Sequence, residues 1–182
     1  MERERLLIMV ETAVMAAVAY VFSFIKFGAL WAYGGSISLV MVPIFVLALR
    51  RGLTAGLIAG LIVGIIKVVQ GGYVVHPVQL VLDYPLAYAL LGTAGLFALH
   101  KTRASGKMMG LAAIGIVLAS GLRFLSHFIS GVVWFGAYAP EGMPVATYSA
   151  LYNLSYLLPE MIISLVIMIL LIKMRPQLFK VR

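Results

Sequence analysis

The stretch that decides the fold is LTAGLIAGLIVGIIKVV, residues 53–69, whose one charged side chain is Lys67. Its glycines Gly56, Gly60 and Gly64 recur every four residues. On a helix this spacing forms one flat stripe, against which a second helix can pack closely. The stretch therefore predicts a membrane helix that packs inside a bundle.

The composition of the whole chain agrees with this interpretation. Of the 182 residues, 63% are hydrophobic and 11% are charged, and the mean hydropathy is +1.08. A soluble domain carries roughly a quarter charged residues. The formal charge of +8 does not indicate a nucleic-acid partner, because the basic residues lie at the ends of apolar runs. We therefore predict an integral membrane protein surrounded by a lipid bilayer.

Apolar segments divide the chain into the spans of a single transmembrane domain, residues 1–182. They predict an all-α fold of six transmembrane helices at about 6–25, 37–49, 53–69, 78–99, 111–135 and 147–172. The second segment is short, because a helix needs about 20 residues to cross the hydrocarbon core.

The basic residues predict how these helices are oriented. Eleven of the 14 Lys and Arg residues fall on one side of six spans: Arg3, Arg5, Arg50, Arg51, Lys101, Arg103, Lys107, Lys173, Arg175, Lys180 and Arg182. Because cytoplasmic loops are enriched in Lys and Arg, both termini should be cytoplasmic. The outward loops are then about 26–36, 70–77 and 136–146, which are aromatic, glycine-rich and poor in charge.

Three polar side chains lie inside three different predicted spans. Asp83, His127 and Asn153 each lie about six to eight residues from the outer end of their segment. At a rise of about 1.5 Å per residue, all three are roughly 9–12 Å deep. An ionisable group inside a membrane is costly unless it is paired. Asp83 therefore either forms a structural bridge with Arg123 or Lys67, or is neutralised by a bound cation.

Aromatic side chains are frequent near the depth at which these three polar side chains lie. Ring faces for cation–π contacts and for stacking are offered in the outward loops and at the helix ends by Trp31, Tyr33, Tyr73, Trp134, Tyr138 and Tyr148. Together with the carboxylate, these rings predict an outward-facing pocket for a flat, positively charged heteroaromatic molecule.

No motif for ATP hydrolysis or for a metal site is present. Gly106-Lys107 lacks the upstream glycine of a P-loop, and no H-E-x-x-H spacing occurs. The residues alone leave three functions open: a binding protein for a cationic metabolite, an autonomous secondary transporter of one, and a membrane enzyme that uses Asp83 and His127.

The chain resembles the thiamine-specific substrate-binding (S) component of energy-coupling factor vitamin transporters. The resemblance covers essentially the whole chain, and its most specific parts are LRRGLTAG (49–56) and HFISG (127–131). It also includes the stretches ETAVMAAVA (11–19), VPIFVLALRRGLTAGLIAGLIVGIIK (42–67), LDYP (82–85), RFLSHFISGVVWFGAYAPEG (123–142) and YSALYN (148–153).

The resemblance implies a multi-pass protein of a prokaryotic cell membrane that binds thiamine from outside. It implies no cofactor and no enzymatic step, since ATP hydrolysis would belong to partner subunits. The implied partners are two cytoplasmic ATPases and a transmembrane coupling protein, which would contact Ala13 and Ala17. A thiamine precursor such as hydroxyethyl-thiazole would suit similar chemistry.

The resemblance also implies roles for individual residues. Asp83 would face the thiazolium ring, while His127, Tyr148 and Asn153 would bind or frame the aminopyrimidine. Tyr73 and Tyr84 would line the site.

Loop one would be the lid of this site, with Trp31 covering the ligand and Tyr33 beside it. The chain departs from the family pattern in having Asp83 for a glutamate, Phe135 for a tryptophan and Trp134 for a phenylalanine. Either Trp134 or Phe135 would therefore stack on the ligand.

Overall fold

The computed structural model describes residues 2–27, 31, 35–99 and 105–180. The helices are α1 (Glu2–Phe22), α2 (Met41–Arg51), α3 (Leu53–Val69), α4 (Pro77–Val81), α5 (Ala87–Leu91), α6 (Ser105–Trp134) and α7 (Val145–Met174). A π-helical turn (Leu82–Leu86) joins α4 to α5, and 3-10 helices span Gly92–Phe97, Gly136–Tyr138 and Pro176–Phe179. Between α1 and α2, the two-residue strands β1 (Lys26–Phe27) and β2 (Ile37–Ser38) pair antiparallel. Apart from this short strand pair, the prediction of an all-α fold is confirmed for the described residues.

Within the described residues, four stretches are long and apolar enough to cross a membrane: Glu2–Phe22, Pro77–Phe97, Ser105–Trp134 and Val145–Met174. Their exposed side chains are largely Leu, Ile and Val, which suits a surface that faces lipid. Helices α3, with 17 residues, and α2, with 11, are shorter than these. The structure is that of a multi-pass membrane protein.

Helix α2 lies at the centre of the bundle. Every residue from Met41 to Leu49 is buried, and the helix contacts α1, α3 and α7. A helix that is apolar all round is buried by its neighbours and need not face lipid. The predicted second span, residues 37–49, is only partly helical. Ile37 and Ser38 form β2, and the helix begins at Met41.

The glycine stripe of α3 packs against the stretch Pro77–Phe97, as its spacing predicts. A Cβ atom at Gly60 would collide with the backbone carbonyl of Tyr88, and one at Gly64 would lie 2.5 Å from the carbonyl oxygen of Tyr84. Only glycine allows the two backbones to approach so closely. The stripe therefore holds the π-helical turn directly against α3.

Asp83 lies within that π-helical turn. Pro85 has no N–H, so the regular helical hydrogen-bond ladder cannot continue through it. In the same turn, the carbonyl oxygen of Leu82 accepts a hydrogen bond from the Ser126 hydroxyl of α6 at 2.6 Å. Turns of this kind are frequent at functional sites, because they redirect side chains out of the helical register.

Candidate binding site

A cavity of about 600 Å³ lies among α3, the π-helical turn, α6 and α7. The structure brings together in its lining seven residues that the sequence indicated: Tyr73, Asp83, Tyr84, His127, Phe135, Tyr148 and Asn153. Asp83, His127 and Asn153 come from three separate helical stretches, so the bundle assembles the cavity from residues far apart in sequence.

The two tryptophans lie outside the cavity lining. The Trp31 indole N–H donates to the Ser155 hydroxyl at 2.7 Å, and its ring meets that of Tyr156 edge-on at 5.8 Å. Trp134 stacks on His76 with ring centroids 5.2 Å apart, whereas its neighbour Phe135 lines the cavity. Of the two candidates for stacking, the structure therefore turns Phe135 towards the cavity.

Tyr33 lies outside the described residues. Tyr138 is another aromatic residue that the sequence indicated. Its hydroxyl oxygen lies 3.1 Å from the hydroxyl oxygen of Tyr73, within hydrogen-bond distance. The rings of Phe135 and Tyr138 also stack with their centroids 6.1 Å apart. The loop after α6 is thus joined to the loop that carries Tyr73.

The carboxylate of Asp83 is held by three side chains. Oδ2 accepts hydrogen bonds from the Gln79 amide at 2.7 Å and from the Ser130 hydroxyl at 2.8 Å. Oδ1 lies 3.0 Å from Nδ1 of His127. The Asp83 side chain is 14% exposed and that of His127 is 10% exposed, so both are largely withdrawn from water. Gln79 and Ser130 are neutral donors, so they orient the carboxylate without cancelling its charge.

The two structural bridges considered for Asp83 do not form among the described residues. Arg123 Nη1 donates instead to Glu160 at 2.9 Å, and the Lys67 ammonium donates to Gln70 at 2.9 Å. Of the two alternatives for Asp83, the structural bridge with Arg123 or Lys67 is therefore wrong for this structure, because each cation has its own partner.

The Arg123–Glu160 ion pair is buried beside the cavity, with side chains 5% and 1% exposed. The guanidinium also lies 4.4 Å from the centroid of the Tyr88 ring, a cation–π contact. The other oxygen of Glu160 accepts hydrogen bonds from the Ser38 hydroxyl at 2.7 Å and from the Ser38 N–H at 3.2 Å. This pair anchors strand β2 to α7, so Glu160 has a structural role.

The second ring nitrogen of His127 is buried and has no partner within the part of the chain that the structure describes. A carboxylate only accepts, so the proton of a neutral His127 ring belongs on Nδ1, facing Asp83. Nε2 is then an acceptor, and among the described residues it is buried with no hydrogen-bond partner. His127 itself lines the cavity, so its ring is part of the surface that a ligand would meet.

Asn153 is largely committed to its own helix. Its amide nitrogen donates to the Ser149 carbonyl at 2.9 Å, and its oxygen accepts from the Tyr156 hydroxyl at 2.7 Å. Asn153 thus frames the cavity by fixing the Tyr156 ring, which also lines it.

Several lining residues were missed from the sequence. Gln79 and Ser130, which hold Asp83, are separated from recognised residues by helical intervals: Gln79 precedes Asp83 by four, and Ser130 follows His127 by three. Tyr152 and Tyr156 continue from Tyr148 at intervals of four. Residues at these intervals share a helix face, so this spacing was the signal that could have found them.

The charges of the lining are mixed. Lys26, Lys67 and Arg123 line the cavity together with Asp83. Among the described residues, no group of three or more His, Cys, Asp or Glu side chains could hold a metal ion. The arrangement can bind a small molecule that has both a cationic part and polar substituents.

Ala13 and Ala17, the predicted contacts of a partner protein, lie on the outer face of α1. Both side chains are exposed, whereas those of Thr12 and Ala16 on the opposite face are buried. The two alanines are therefore accessible on the surface of α1.

Comparisons with known proteins give consistent results. A family model described as thiamine transporter protein matches residues 9–180. The thiamine transporter ThiT of Bacillus subtilis is 37% identical over 98% of this chain and 97% of its own length. ThiT of Lacticaseibacillus paracasei is 35% identical over 98% of this chain and 92% of its own. A solved structure of ThiT from Listeria monocytogenes superimposes with a TM-score of 0.88 at 32% identity, covering 98% of this chain and 100% of that one.

Proposed function

The chain belongs to the thiamine transporter protein family, as a thiamine-specific S component of the bacterial cell membrane, and we propose that its cavity binds thiamine with Asp83 as the counter-charge. The observation that carries this proposal is the set of partners of Asp83. Two neutral donors and a histidine orient the carboxylate, while the nearby Arg123 and Lys67 are bound elsewhere. A fixed cation such as a thiazolium ring would complete the site.

The remaining lining suits the other half of thiamine. His127 lines the cavity beside Asp83 and would bind or frame the aminopyrimidine. The rings of Phe135, Tyr148 and Tyr156 line the same cavity and would stack on or frame the flat ring. We propose that loop one is the lid, since Trp31 already contacts Tyr156 at the edge of the cavity.

The family's relatives are named transporters, which is consistent with a protein that performs no chemistry on its ligand. We propose that thiamine is bound and released unchanged, and that neither a cofactor nor a metal takes part. The sequence has no P-loop, so any ATP hydrolysis would occur on separate subunits.

The substitution Asp83→Asn tests the role of the carboxylate. It removes the charge at nearly constant shape, so the affinity for thiamine should fall roughly a hundredfold or more, as when one partner of a buried charge pair is lost. Calorimetric titration of the purified protein measures the affinity, and the fluorescence of Trp31 and Trp134 gives a second readout. The thermal unfolding of the ligand-free variant should stay close to that of the wild type, since no partner cation is orphaned.

Two further substitutions complete this experiment. Glu160→Gln leaves the buried Arg123 unpaired and should destabilise the fold by about 3–5 kcal/mol. Glu141→Gln, the same change at an exposed position, is the matched control and should change neither the affinity for thiamine nor the stability of the fold. Unchanged thiamine affinity in Asp83→Asn would overturn the proposal, as would failure of the wild type to bind thiamine at micromolar concentration.

We also propose that residues 1–182 form one domain of six spans with both termini in the cytoplasm. Helices α2 and α3 would be the two short spans, joined at Gly52, and the uneven distribution of Lys and Arg supports the orientation. The cavity would then open to the outside.

The chain has no cysteine, so single introduced cysteines report this topology directly. Glu2→Cys, Glu141→Cys and Gln177→Cys each replace an exposed residue. A membrane-impermeant thiol reagent added to intact cells should label only the cysteine at position 141. Labelling at position 2 or 177 in unbroken cells would contradict the proposed orientation.

We further propose that the chain delivers thiamine to an energy-coupling module made of a transmembrane coupling protein and two cytoplasmic ATPases. Small exposed residues let a second helix approach closely, and Ala13 and Ala17 lie four residues apart on the exposed face of α1. This pair supports α1 as the surface that meets the coupling protein.

The substitution Ala17→Leu tests this surface. The larger side chain should block close helix approach, so less coupling module should co-purify while the affinity for thiamine is unchanged. Ala146→Leu, an exposed alanine at the start of α7, is the matched control. Full retention of the module by Ala17→Leu would contradict the proposal. Ion-driven thiamine uptake by the chain alone in proteoliposomes would instead indicate an autonomous transporter.

A further inference from the structure

Gln79 is a buried residue that donates to Asp83, and its contacts with the loop before α4 have not yet been given a function. It lies on α4, one helical turn before Asp83, and is 1% exposed. A buried amide has to find hydrogen-bond partners inside the protein. We propose that Gln79 is a positioning residue that couples the Asp83 carboxylate to the wall segment, residues 73–75; the inference rests on the proposed function of Asp83.

The hydrogen bonds of Gln79 fix the orientation of its amide. Oε1 accepts from the Val75 N–H at 3.0 Å, while Nε2 donates to the Tyr73 carbonyl at 3.0 Å and to Asp83 Oδ2 at 2.7 Å. A backbone N–H cannot accept and a carboxylate cannot donate, so a flipped amide would lose all three bonds. The side chain therefore has one arrangement that satisfies both the loop and the carboxylate.

The same amide orients Asp83 without neutralising it. An uncharged donor to a carboxylate restricts its rotation and leaves the full negative charge for the ligand. Ser130 is the other donor to Oδ2, and it lies on α6. Of these two donors, Gln79 is the one that also bonds to the wall segment. Loss of the Gln79 amide would therefore loosen the carboxylate and the wall segment together.

The wall segment carries a ring of the binding site. Tyr73 lines the cavity, and its backbone N–H donates to the Tyr84 hydroxyl at 2.7 Å. Its ring lies 6.0 Å from that of Phe135. A cation that immobilises Asp83 will therefore also immobilise the Gln79 amide and, through it, the backbone that positions the Tyr73 ring. Gln79 thus links recognition of the ligand's charge to the order of the loop.

Gln79→Leu tests this inference with two ligands that differ in charge. The probes are thiamine and an analogue in which carbon replaces the thiazolium nitrogen, so that its ring is neutral. Loss of one hydrogen bond to a charged group should weaken thiamine binding roughly ten- to a hundredfold. The neutral analogue should lose less affinity than thiamine does, because it contacts the loosened Tyr73 ring but does not use the charge of Asp83. Gln177→Leu, the same change at an exposed position, is the matched control.

If Gln79 had a purely structural role, Gln79→Leu would lower the affinity for both ligands by the same factor. Either that result or an unchanged affinity for thiamine would overturn the inference. Failure of the wild-type chain to bind thiamine would instead overturn the proposed function, so the two failures are distinguishable. If Gln79→Leu does not fold, hydrogen exchange on the wild type decides the question. At matched saturation, thiamine should slow exchange of residues 73–75 more than the neutral analogue does, and equal protection would contradict the inference.

Discussion

The structure depends on the placement of one carboxylate, that of Asp83, in an apolar bundle beside a cavity. An isolated charge at such a position is costly, and proteins usually pair it with a cation of their own. Here Gln79 and Ser130 donate to it as neutral groups and His127 completes the contact. The charge is thereby oriented but kept available, which suits a site for a permanently cationic ligand.

Two other features of the bundle keep this arrangement in place. The glycine stripe of α3 lets the π-helical turn approach so closely that Tyr84 and Tyr88 meet α3 through their backbone carbonyls. The buried ion pair with Glu160 keeps Arg123, which lines the same cavity, from pairing with Asp83. A buried ion pair contributes little net stability, because desolvation of its members offsets their attraction. The Arg123–Glu160 pair instead separates charges, because Glu160 binds Arg123 and the carboxylate of Asp83 is left without that cation.

The sequence predicted much of the fold because membrane helices have a strong compositional signal. The apolar segments, the glycine stripe and the common depth of Asp83, His127 and Asn153 all follow from helix geometry. The sequence did not predict the pairing of Arg123 with Glu160, because 37 residues separate the two and the packing of α6 against α7 brings them together. Nor did it decide between Trp134 and Phe135, because the rotation of a helix end is set by contacts such as the stacking on His76. The two strands between α1 and α2 are too short to leave a pattern in the sequence.

A structure of the chain with thiamine bound tests the central claim most directly. The distance to measure is that from the thiazolium ring to the carboxylate of Asp83. The account predicts direct contact, with the charged ring within roughly 4–6 Å of the carboxylate and Arg123 still bound to Glu160. A thiamine molecule whose thiazolium lies away from Asp83, with Asp83 turned to Arg123 or Lys67, would contradict it.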